Sequence, residues 1–154
     1  MDDAVFMKEA LRRAARAAAG GEVPIGAVVV RDGRVFAGGA NKPVGSSDPT
    51  AHAEIVALRR ATRKAGNYRL TDCDLYVTVE PCAMCLGAIV QARIRRLVYG
   101  ALDPKSGAVS SVMKFPFAKL NHRPEIVGGV LAGESAGLLR AFFRARRKKE
   151  GFRI

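Results

Sequence analysis

The stretch from residue 74 to 101 constrains the fold more than any other. "DLYVTVE" at 74–80 is rich in β-branched and aromatic residues and reads as a buried strand. Pro81 follows at once and opens a helix to residue 92, because proline is favoured at a first helical position, where its missing N–H would go unbonded anyway. "RRLVYGA" at 95–101 reads as a second strand.

The rest of the chain continues this alternation. Residues 3–19 are helical, with Phe6, Ala10, Leu11, Ala14 and Ala18 at helical spacing and Arg12, Arg13 and Arg16 off that stripe. "VPIGAVVV" and "RVFAGGA" flank Asp32-Gly33, a hairpin signal because both central residues can take positive φ. "NKPVGSSDPT" at 41–50 is loop, with Thr50 as N-cap of a helix over 51–65. "EIVGGVL" at 125–131 is a short strand weakened by two glycines, and 133–149 a last helix carrying Leu138, Leu139, Phe142 and Phe143. The order α–β–β–α–β–α–β–β–α, with one more helix left open before the last strand, implies three α/β/α layers around a central mixed five-stranded sheet. No repeat or linker divides residues 1–154, so one domain is expected.

At 154 residues a chain buries roughly 70% of its unfolded surface, enough for a core without disulfides. An odd count of three cysteines is no secreted disulfide framework. No run approaches the ~20 apolar residues of a membrane span, and the acidic start "MDDAVFMKEA" lacks a signal pattern. The expectation is a soluble, cytoplasmic protein. A net charge of +12 points to a polyanionic partner, nucleic acid rather than membrane.

Cys82 and Cys85 stand three apart at a helix start, where the macrodipole favours thiolate. A Cys-x-x-Cys pair alone is equally a redox dithiol, a structural zinc site or chance. His52, in "TAHAE", offers a third ligand from another helix start. Structural zinc takes four protein ligands, and catalytic zinc three plus water. The fourth candidates are weak: Cys73 reads as a small buried apolar residue and His122 as a packing or surface residue. Glu54 then has a use as a proton carrier, although side chains two apart on a helix diverge.

These residues resemble the zinc nucleobase deaminases, whose signature is His-x-Glu followed by Pro-Cys-x-x-Cys. The segments "DPTAHAEI", "NYRL", "VYGALDPKSGA", "LNHRPEI" and "FFRARR" are similar to the tRNA-specific adenosine deaminases, in the same order along residues 3–147. The resemblance implies a cytidine-deaminase-like fold and hydrolytic deamination of adenosine to inosine at the wobble position of a tRNA anticodon. It implies one zinc per subunit on His52, Cys82 and Cys85, activating water, with Glu54 as proton shuttle. It places Asn41, the Ala53 backbone and Pro81 around the flipped base. It places Asp103, Lys105, Asn121 and His122 in segments near the substrate. It also implies a homodimer, with both subunits touching the anticodon stem-loop.

Residue chemistry agrees with an RNA substrate. Arg144, Arg146 and Arg147 suit phosphates, and Phe142 or Phe143 either stacking or the core. Two other readings remain: a deaminase of a free base or nucleoside such as guanine or cytosine, and a non-catalytic zinc-stabilised RNA-binding module. The basic charge speaks against the first and Glu54 against the second.

Overall fold

The computed structural model describes residues 2–151. The C-terminal Phe152 lies outside them. The elements are α1 (Asp3–Ala19), β1 (Gly26–Arg31), β2 (Arg34–Ala40), α2 (Pro43–Ser46), α3 (Ala53–Ala65), β3 (Cys73–Val79), α4 (Ala83–Ala92), β4 (Arg96–Ala101), β5 (Glu125–Val127) and α5 (Ala132–Gly151). The sheet has five strands in the order β2-β1-β3-β4-β5. β1 is antiparallel to β2 and β3, while β4 runs parallel to β3 and β5. This is the expected mixed sheet.

Period-two alternation builds the two interfaces. Ala27 and Val29 of β1, with Leu75, Val77 and Leu97, face a core closed by Ala57, Leu58 and Ala61 of α3 and Leu86, Ile89 and Val90 of α4. Val28 and Val30, with Tyr76 and Val98, face Phe6, Met7 and Ala10 of α1, while α5 also packs on this side. The alanines of α1 let the helix lie close to the sheet. Asp32 (φ 51°) and Gly33 (φ 73°) make the β1–β2 turn with both φ positive, as the Asp-Gly pair requires. Phe36 is bulged out of β2, since Val29 pairs with Ala37 but Val30 with Val35.

Three boundaries and the content of two loops differ from the sequence reading. Thr50 is not an N-cap: its amide and hydroxyl bond Asp48, and α3 starts after His52. Pro81 precedes Cys82, the true N-cap of α4, so proline ends the strand rather than opening the helix. β5 stops at Val127, because Gly129 (φ 86°) turns the chain into α5. The loop after β2 contains the short α2, and the undecided helix before β5 is only a 3-10 turn at Phe117–Lys119. Among the described residues no helix is long and apolar enough to cross a membrane.

Candidate metal centre and active site

Two helix starts meet at one edge of the sheet. Because β1 is antiparallel to β3, the start of β1, the end of β2 and the carboxyl ends of β3 and β4 lie along the same edge. His52 is the N-cap of α3 (φ −69°, ψ 153°) and Cys82 the N-cap of α4 (φ −79°, ψ 173°). Neither side chain caps its own helix, so both are free to face across the gap. The extended backbone at His52 also removes the expected divergence from Glu54: only Glu54 is on the helix.

The Sγ atoms of Cys82 and Cys85 lie 3.6 and 3.5 Å from His52 Nδ1. All three atoms fall within 4.8 Å of one another. A tetrahedral zinc, with bonds of about 2.3 Å to sulfur and about 2.0–2.1 Å to nitrogen, separates sulfur from nitrogen by about 3.6 Å. The donor set therefore fits zinc in both chemistry and spacing. Among the described residues no fourth His, Cys, Asp or Glu joins the group. Three protein ligands are the complement of a catalytic site rather than a structural one.

The local electrostatics favour a cation. The Cys85 thiol bonds Cys82 and, with His52 and the helix-start amide of Cys85, holds the Cys82 pKa down to about 4 against the effect of burial. Cys85 is pushed up by the Cys82 sulfur, then by burial and Glu54. His52 is raised chiefly by its bond to Cys82. Glu54 is 4% exposed, and burial above all pushes its pKa up to about 7. A buried carboxyl thus lies beside the ligand cluster.

The other expected residues divide by position. Ala53 and Pro81 are buried next in sequence to His52 and Cys82, and the Pro81 carbonyl accepts the Ala108 amide at 2.9 Å. Asn41 follows β2 at the same edge, is 8% exposed, and makes no side-chain hydrogen bond among the described residues. The Asp103 carboxylate is spent on its own turn, accepting from the Lys105 and Ser106 amides and the Ser106 hydroxyl. Lys105 Nζ lies 5.9 Å from the Phe143 ring centre, bringing the start of the 102–124 loop beside α5. Phe143 is 38% exposed and therefore not core, while Phe142 is half-buried. Arg144, Arg146 and Arg147 are exposed, and Arg146 lies over Phe142.

Asn121 and His122 are at the wrong end for this site. They precede β5, which pairs with the start of β4, and His122 Nε2 lies 2.7 Å from the Ile94 carbonyl oxygen. Within one chain they are not beside the metal centre. Cys73 is likewise remote, buried at the amino end of β3 with its pKa pushed up to about 12 by burial and Asp72.

A family model described as MafB19-like deaminase matches residues 1–147. The tRNA-specific adenosine deaminase of Agrobacterium fabrum is 51% identical over 144 residues, covering 92% of this chain and 94% of that protein. The chain belongs to the tRNA-specific adenosine deaminases. The Haemophilus influenzae member is 49% identical over 150 residues, covering 96% of this deaminase and 87% of its relative. A solved structure from studies of A-to-I editing by tRNA:A34 deaminases superposes with a TM-score of 0.82 at 50% identity, covering 87% and 98% of the two chains.

One residue of the deaminase escaped the sequence reading. Glu80 is 2% exposed at the end of β3. Its Oε1 accepts from the Asp103 amide at 3.1 Å and from the Ser111 hydroxyl. Its Oε2 accepts from the amides of Val109, Ser110 and Ser111 at 3.0, 2.8 and 3.1 Å. Burial raises its pKa, but the Ser111 hydroxyl and these amides bring it below the usual carboxylate value. At Gly107 a Cβ would lie 2.3 Å from Oε1, so only glycine lets the loop close on this carboxylate. The signal was a glutamate ending the apolar run "DLYVTVE".

Proposed function

We propose that this chain hydrolyses adenosine to inosine at the wobble position of a tRNA anticodon, with one zinc per subunit held by His52, Cys82 and Cys85. The match of the sulfur–nitrogen separations to a tetrahedral site carries this reading, together with the buried Glu54 beside it. Zinc, when bound, supplies Lewis acidity that lowers the pKa of a water toward ~7. Glu54 takes the proton that water gives up as it adds to C6 of the base, and delivers it to the amine that leaves as ammonia. Its raised pKa suits both directions of transfer.

Asn41 offers a free amide to the flipped base, and Ala53 and Pro81 form the pocket wall. Lys105, positioned by the Asp103 turn, meets the RNA backbone and a neighbouring base together with Phe143, Arg144, Arg146 and Arg147 of α5. Asn121 and His122, remote from the metal centre within one chain, meet RNA in this reading from the second subunit of a homodimer. Met84, one residue before Cys85 and 38% exposed, is apolar surface for such a contact. Residues 1–154 act as one domain, in the cytoplasm with the tRNA pool.

The test is ammonia release by zinc-loaded protein from an anticodon stem-loop, free adenosine, guanine and cytidine. Release from the stem-loop alone is expected. Release from the free compounds alone overturns the RNA reading, and RNA binding without release from any of them leaves the non-catalytic module.

A further inference from the structure

A cationic groove runs along the outer edge of β2. Its floor is residues 36–40; Arg13 and Arg16 of α1 form one wall, and Arg60 and Lys64 of α3 the other, around a hollow of 390 Å³. Toward the site it continues into a hollow of 300 Å³ lined by Arg16, Arg60, Lys42 and Asn41. Away from the site it continues past Phe36 toward Arg34. From Phe36 to Asn41 an extended strand covers roughly 17 Å, long enough for several consecutive phosphates.

The groove is organised. The bulge at Phe36 leaves its carbonyl outside the sheet ladder, and Lys64 Nζ donates to it at 3.1 Å. Arg60 donates to the Gly38 carbonyl at 2.8 Å. The Arg13 guanidinium lies so close over Gly38 that a Cβ there would sit 2.0 Å from Nε. These anchors fix the cations; Arg13 also pairs with Glu9 at 3.8 Å and Asp32 lines the far hollow, but the other groove cations are not neutralised. Among the described residues Arg16, Arg60 and Lys64 have no carboxylate partner, and Glu22, which lines the site end, is spent on the Val44 and Gly45 amides. Charge on an edge strand also deters sheet-to-sheet pairing. That need is met by one or two scattered lysines, not by like charges gathered across two helices into a concave track.

We propose that this groove is a second RNA-binding site, taking the phosphates of the strand that leads away from the base held at Asn41. It rests on the RNA substrate proposed above. A guanidinium with one N–H bonded to Gly38 keeps the others for phosphate oxygens, and Lys64 keeps two donors. The α5 arginines then hold one side of the loop and the groove the other.

The variant Arg16→Gln/Lys64→Gln tests this without touching the metal centre. Labelled whole tRNA is titrated against wild type and variant over a series of salt concentrations. The single-turnover rate at saturating RNA is measured alongside. The expected result is a dissociation constant weakened about tenfold and a log–log salt slope shallower by about 1.5, two lost phosphate contacts, with the saturated rate unchanged. Arg16→Lys/Lys64→Arg keeps both charges and is expected to bind like wild type. An unchanged constant and slope overturn the proposal. So does a variant that loses binding to phosphatidylserine vesicles while binding tRNA normally. Wild type that binds tRNA with a groove-dependent slope but releases no ammonia counts against the catalytic reading and leaves the groove standing.

Discussion

In the proposed mechanism turnover rests on Glu54. It is buried beside the ligands without being one of them. Glu54→Ala is expected to keep zinc content and RNA affinity while kcat falls about 10²–10⁴-fold, measured by single-turnover inosine formation; a near-normal rate removes it from the mechanism. Asn41 holds an uncommitted amide at the same edge, so Asn41→Ala should lower kcat/KM about tenfold on the anticodon stem-loop, while an unchanged kcat/KM would mean the base does not use it. That His52, Cys82 and Cys85 are candidate ligands was legible because His-x-Glu and Cys-x-x-Cys are local patterns. Their placement was not. His52 and Cys82 are both N-caps, a position usually filled by Ser, Thr, Asp or Asn, and their side chains face each other instead of capping.

At the scale of elements, the edge of the sheet assembles the site, and Glu80 ties that edge to the 103–111 loop. Glu80→Ala leaves three loop amides besides that of Asp103 without an acceptor, and is expected to cost about 2–4 kcal/mol in urea unfolding. Amides 103–111 should exchange faster while those of α1 do not. Uniform exchange along the chain would contradict a local tie. The hairpin, β3, α4 and β4 were readable because Asp-Gly and the strand–helix–strand alternation are contiguous signals. The loop was not, since its structure depends on a carboxylate 23 residues before Asp103. β5 shrank for a local reason that composition leaves ambiguous: paired glycines either weaken a strand or end it.

Across the whole molecule, one ion pair joins the first helix to the sheet. Asp3 makes two bonds of 2.7 Å to Arg96 and accepts the Tyr76 hydroxyl at 2.6 Å. The Arg96 guanidinium, foremost, lowers the Asp3 pKa from 3.8 to about 2. A lowered carboxylate pKa stabilises the fold above the unfolded value and is lost as pH falls through the folded one. Asp3→Asn should therefore cost about 1–2 kcal/mol at neutral pH and little near pH 2, read from denaturant midpoints. An equal loss at both would mean that the charge is irrelevant. The β2 groove, like this pair, was invisible in the sequence because its arginines and lysine come from helices some 45 residues apart, and only folding sets them side by side. X-ray absorption at the zinc edge tests the three-ligand metal centre most directly. Zinc on His52, Cys82 and Cys85 is expected to show two sulfurs at about 2.3 Å and two lighter atoms at about 2.0–2.1 Å. A third sulfur, or an absence of zinc from the purified protein, would contradict it.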